Sequence, residues 1–125
     1  MKNILISSTR QWNPGDEFIA RGVMNLFESF SLDKINWILY NRNPDHFRGL
    51  TKQYSNSCIE FEKANIDLVV IAGTPEWCGN KLSNLYEFIL NNNIPIIHIG
   101  IGCSADNYEL NEIEKQVIQK SLLIT

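Results

Sequence analysis

Asp67-Leu68-Val69-Val70-Ile71-Ala72-Gly73-Thr74-Pro75-Glu76-Trp77-Cys78-Gly79-Asn80 is the stretch that decides the fold. Leu68 to Ala72 is a short apolar run, rich in Val and Ile and closed by a glycine. Such a run reads as a strand buried on both faces. The apolar character stops at Gly73, and beyond Asn80 the residues Leu82, Leu85, Tyr86 and Ile89 fall on one helical stripe. In an open parallel sheet, ligands bind just past the carboxyl ends of the strands. That makes Gly73, Thr74, Glu76 and Trp77 candidate site residues. A plain strand-to-helix connection, with its Trp packed on the domain, is the structural alternative.

The same alternation extends outward in both directions. On the amino-terminal side, Ile4-Leu5-Ile6 reads as a first strand and Ser7-Ser8-Thr9-Arg10 as a hydroxyl-rich loop after it. Asn13-Pro14-Gly15-Asp16-Glu17 then opens a helix whose apolar stripe is Phe18, Ile19, Val23, Leu26, Phe27 and Phe30. Asn13 or Asp16 suits its N-cap. Ile35 to Tyr40 reads as a second strand, and the pattern is weak from His46 to Glu62. On the other side, Asn91-Asn92-Asn93 ends the second helix, with Pro95 beyond it as a stop. Ile96 to Gly102 reads as a fourth strand, with His98 a hydrogen-bonded core residue and Gly100 and Gly102 allowing close backbone approach. Leu110, Ile113 and Val117 mark a third helix, and Ser121 to Thr125 a fifth strand.

Strands of the buried type alternating with helices predict an α/β fold. The expected architecture is a three-layer α/β/α Rossmann-like domain over residues 1–125, with a flavodoxin-like parallel sheet of five strands in the order 2-1-3-4-5. Right-handed crossovers restrict the choice to few orders. This one places a switch point between the first and third strands. Ser8, Thr9, Asn13, Gly15 and Asp16 would then meet Gly73, Thr74, Glu76 and Trp77, with Gly100 and Gly102 beside them. Asp16 and Glu76 are the expected catalytic carboxylates. Facing each other across a crevice, two such groups raise one pKa enough for general base work.

Composition removes several function classes. The chain has 125 residues and a formal charge of −3, and no basic stripe stands out. Nucleic acid is therefore not the expected partner. No apolar run reaches bilayer-spanning length. The start lacks a signal-peptide pattern, and Cys58, Cys78 and Cys103 lack CxxC spacing. Reduced thiols and a cytoplasmic location are expected. GxGxxG after the first strand, a Walker lysine motif and zinc-finger spacing are all missing from the sequence, so neither a cofactor nor a metal is expected. Cys78, near a helix start, is placed to favour a thiolate. Neither histidine is placed to serve it.

Asn13-Pro14-Gly15-Asp16-Glu17-Phe18-Ile19, the strand ending Ala72-Gly73-Thr74-Pro75, and Pro95-Ile96-Ile97-His98-Ile99-Gly100-Ile101-Gly102 resemble segments of the polysaccharide pyruvyl transferase family. The likeness covers the amino-terminal half of such an enzyme. One departure is Gly73-Thr74, where that family often has Gly-Gly. The resemblance implies a glycosyltransferase-B-like, two-domain transferase of exopolysaccharide biosynthesis. It implies phosphoenolpyruvate as the pyruvyl donor and a sugar as the acceptor. Residues 1–125 would form the acceptor side, inactive alone. Either a carboxyl-terminal domain or self-association would cover the final strand. Two other readings share the fold: a non-catalytic binding or interaction module, and a small nucleotide-binding protein holding phosphate at Arg10 and the first helix's N-terminus.

Overall fold

The structure, a computed structural model, describes residues 1–8, 14–41, 61–73, 82–102 and 108–125. In chain order these form β1 (Lys2–Ser8), α1 (Pro14–Phe30), β2 (Ile35–Asn41), a 3-10 turn (Phe61–Lys63), β3 (Leu68–Ala72), α2 (Ser83–Asn91), β4 (Ile96–Ile99) and α3 (Glu112–Lys120). The strands make one parallel sheet in the order β2-β1-β3-β4. In register, Ser7 of β1 stands between Tyr40 of β2 and Ile71 of β3, and Ala72 stands beside Ile99 of β4.

Successive side chains of a strand point to opposite faces, so each strand feeds two cores. Leu5, Val69, Ile71 and Ile96 pack with Leu85, Tyr86 and Ile89 of α2 and Val117 of α3. Ile4, Ile6, Val70, Ala72 and Ile97 pack on the other side with Ala20 and Val23 of α1. Val69 to Ala72 are completely buried, because helices lie over both faces of β3. This is why the run carries no polar alternation. Full burial of each Val or Ile contributes about 1.5–3 kcal/mol.

Beyond β4 the sheet continues only in part. His98 forms a single parallel bridge with Ile124. Leu122 N donates to Ile96 O at 2.9 Å, His98 N to Leu123 O at 2.9 Å, and Thr125 N to His98 O at 3.1 Å. Residues 122–125 thus run alongside β4, where a fifth strand was expected. β4 itself ends at Ile99 rather than Gly102, because Gly100 takes a left-handed backbone, φ 66°.

α1 departs from expectation on which side chains it buries. Ala20 and Val23 are buried and Met24 and Phe27 half-buried against the sheet, whereas Phe18 is 74% exposed, Leu26 51% and Phe30 80%. The expected six-residue stripe is wider than the strip of sheet that one helix covers. The β2 flank of α1 is polar: Glu17 and Arg21 pair at 3.0 Å, and Trp37 of β2 donates Nε1–H to Glu28 at 2.7 Å. Ile19 lies on the opposite flank, toward the end of β3. Ser7 and Ser8 also differ from the loop expected there. Both belong to β1, and Ser7 is fully buried.

α2 buries Leu85, Tyr86 and Ile89, with Leu82 just before it, in agreement with the expected stripe. Asn93 follows its end in the left-handed region, φ 51°, a conformation asparagine tolerates better than most residues. α3 starts with a capping box. Asn111 Oδ1 accepts from Glu114 N at 2.9 Å, and Glu114 Oε2 accepts from Asn111 N at 2.9 Å. At the amino end of the sheet, Asp67 accepts from Asn3 N at 2.8 Å. The acid that leads β3 therefore stands at the end of the sheet opposite Gly73.

Candidate functional site

The carboxyl ends of β1, β3 and β4 lie level, so the chain leaves the sheet at three neighbouring points. Gly73 follows β3 directly, buried, with φ 78°. Its amide donates to Ile99 O at 2.9 Å, which ties the end of β3 to the end of β4. A Cβ built on Gly73 would stand 3.6 Å from Asp16 Oδ1 and 3.6 Å from Ile19 Cδ1. The first turn of α1 therefore sits against the end of β3. Asp16 and Gly73 are 57 positions apart in sequence, and the fold makes them neighbours at the β1/β3 switch point.

Asp16 is half-buried. Since α1 begins at Pro14, Asp16 is its third residue rather than its N-cap. Pro14 suits the first helical position, where the amide it lacks would have no intrahelical partner. Asp16 and Glu17 instead add negative charge where the helix dipole is positive. Glu17 is partly neutralised by Arg21. A first turn bearing two carboxylates is a poor seat for phosphate. It suits a ligand that donates hydrogen bonds.

Gly100 continues the rim on the β4 side. It is exposed, and a Cβ there would meet nothing within 4 Å. Its amide donates to Thr125 Oγ1 at 2.8 Å, and Ile101 N donates to Thr125 O at 3.0 Å. Gly102 is exposed two residues further on. Gly15 is exposed in the first turn of α1, and Ser8 is the last residue of β1. Of the expected site residues, Ser8, Gly15, Asp16, Gly73, Gly100 and Gly102 thus lie at this end of the sheet. Thr9, Asn13, Thr74, Glu76 and Trp77, as well as Cys78, fall outside the described residues, so the expected Asp16–Glu76 pairing does too.

Thr125 and Ile19 were not expected at the rim. Thr125 read as the end of a strand, and nothing in its type marks a contact with Gly100. Ile19 read as part of the core stripe. His98 is completely buried in β4. Its Nδ1 is 2.9 Å from Ser121 Oγ and its Nε2 is 3.4 Å from the Tyr86 hydroxyl. Burial lowers its pKa from 6.5 to about 4. It is a neutral, hydrogen-bonded core histidine pointing away from the α1 side of the sheet. Among the described residues no group of three or more His, Cys, Asp or Glu side chains could hold a metal ion. None of the described helices is long and apolar enough to cross a membrane.

Comparison with family models, with characterised proteins and with solved structures finds no match to this chain. The reading of the site therefore stands on its geometry: a half-buried carboxylate in the first turn of a helix, set against a glycine at the end of the central strand.

Proposed function

We propose that this domain binds a sugar-type, polyhydroxyl ligand in the crevice past the carboxyl ends of β1, β3 and β4. In this reading it is the acceptor side of a transferase resembling the polysaccharide pyruvyl transferases. The observation that carries the proposal is the approach of Asp16 to Gly73 at the switch point of a parallel sheet. A carboxylate accepts hydrogen bonds from sugar hydroxyls, and Asp16, half-buried beside Gly73, would present one at the end of the central strand. Trp77 would stack on the apolar face of that ring. Asn13, Thr74 and Glu76 would complete the polar contacts, with Glu76 and Asp16 sharing the general base role. The sheet is taken as five-stranded, 2-1-3-4-5, a view supported by the hydrogen bonds between β4 and residues 122–125. Phosphoenolpyruvate would be held by a second domain, and the reaction would be cytoplasmic. The acidic first turn of α1 favours this reading over phosphate or nucleotide binding at the same helix end.

The test is a titration of the isotope-labelled chain with neutral mono- and disaccharides and, separately, with inorganic phosphate. Saturating amide shifts at Gly15, Asp16, Gly73 and Gly100 with a saccharide are expected, and Asp16→Asn should weaken them about tenfold. Shifts with phosphate alone, or none with any saccharide, would overturn the proposal. The 125-residue chain alone is expected to show no turnover of phosphoenolpyruvate with a sugar acceptor.

A further inference from the structure

We propose that the exposed ridge of α1 formed by Phe18, Gly22, Leu26 and Phe30 is a dimer interface, and that its occupant is the same ridge of a second copy of this chain. The inference does not depend on what the crevice binds.

The four residues are spaced four apart, so on a helix they make one continuous ridge. All four are exposed, as are Ile19 and Ser29 beside them. The ridge carries no charge, because Glu17, Arg21 and Glu28 lie on the flank toward β2. Gly22 sits inside α1, where glycine is a poorer helix former than any residue but proline. A Cβ there would meet nothing within 4 Å, so the packing of the described chain does not require the missing side chain. A close-packed neighbouring helix does. At the end of the ridge, Leu26, Phe27, Phe30 and Ser31 surround a surface hollow. Four residues so spaced on one helix are the kind of hole that receives a side chain from a facing helix.

The ridge is complementary to itself. In an antiparallel pair with its two-fold axis midway between positions 22 and 26, Leu26 of each copy lies over Gly22 of the other. Phe18 of each copy then comes level with Phe30 of the other and enters the hollow there. Packing such ridges against one another is the commonest way for two helices to meet, at a crossing angle of about −50°. The layering of the fold leaves a place for this partner. Among the described residues, α2 and α3 pack on one face of the sheet and α1 alone on the other. Four strands spaced about 4.8 Å apart are wider than one helix, about 10–12 Å across. A second helix on the Ile19 flank of α1 would complete that layer.

The area sets the strength. Phe18 and Phe30 are 74% and 80% exposed, which leaves roughly 300 Å² of aromatic surface in contact with water. Leu26 and Ile19 add about another 150 Å². Two copies would bury about 900 Å² of apolar surface, before Gly22 and Ser29 are counted, against about 1,200 Å² at the lower end for a stable interface. The expected dimer is therefore weak, half-formed on the order of 100 µM to 1 mM.

The experiment follows the amides of the isotope-labelled 125-residue chain from about 20 µM to about 2 mM, a range that brackets this affinity. The amides of Gly22, Leu26, Ser29 and Phe30 are expected to shift together with concentration along one dimerisation curve. Gly22→Gln fills the seat of Leu26 and should weaken the dimer at least tenfold. In the monomer its side chain meets open solvent, so its urea midpoint should not fall below the native one. Phe30→Gln, at the other end of the ridge, should weaken the dimer to a similar degree. Leu123→Lys alters the edge beside β4 and should leave the curve read at α1 unchanged within about twofold. Amides of α1 that stay fixed up to the highest concentration would overturn the proposal and leave the ridge to some other occupant. A Gly22→Gln chain that dimerises as well as the native one would also overturn it, as would loss of the α1 shifts in Leu123→Lys.

Discussion

Asp16 and the two left-handed glycines are where single residues can be separated from the fold. Because Asp16 is in the first turn but is not the N-cap, Asp16→Asn removes a charge–dipole interaction and leaves the helix start intact. The stability loss should be about 0.3–1 kcal/mol in urea unfolding, while saccharide affinity falls about tenfold, which is about 1.4 kcal/mol. An Asp16→Asn protein that does not fold would mark the carboxylate as structural. Gly73 and Gly100 offer a matched pair. Both have positive φ, so an alanine at either meets backbone strain of about 1–2 kcal/mol. Only at Gly73 does the new methyl also touch Asp16 and Ile19, at ordinary contact distance. Gly73→Ala and Gly100→Ala should therefore cost similar stability, and Gly73→Ala alone should shift the Asp16 signals in a carboxylate-detected spectrum.

At the scale of elements, α3 depends on its start more than on its length. It has nine residues, too few to be stable in isolation. Its capping box ties Asn111 to Glu114, and Glu114 in turn holds Tyr108. Asn111→Ala should cost about 0.5–2 kcal/mol and should raise amide exchange in α3 before α2. The box was legible as a pattern, Asn111-Glu112-Ile113-Glu114, yet the apolar positions alone placed the helix from Leu110. β3 and α2, and β4 as far as Ile99, could be read closely because each is buried on the faces that its apolar residues mark. α1 was harder. Its apolar residues exceed what the sheet can cover, and periodicity does not say which of them win. The crevice was legible as a place, since polar breaks follow buried strands. The Asp16–Gly73 approach follows from sheet order, which local pattern only narrows. The Thr125–Gly100 contact left no mark at all, since it depends on how residues 122–125 run beside β4.

At the scale of the molecule, exposed apolar side chains among the described residues cluster on α1 and beside β4, with Met1 and Leu32 exposed singly. Phe18, Leu26 and Phe30 project from α1, and Leu122, Leu123 and Ile124 flank β4. An edge of this kind is open to pairing with another strand. Sedimentation of the 125-residue chain is expected to reveal self-association at high concentration. Leu123→Lys should reduce it, with a change in stability of no more than about 0.5 kcal/mol. A strictly monomeric native chain would count against this. β1 is made first, yet it lies between β2 and β3, whose residues are made last among the three. Translation at about 5–20 residues per second leaves Ile4, Leu5 and Ile6 waiting some seconds for Leu68 to Ile71 to be made. During that interval the future centre of the sheet is an unfinished edge, and chaperones on the ribosome would find it there.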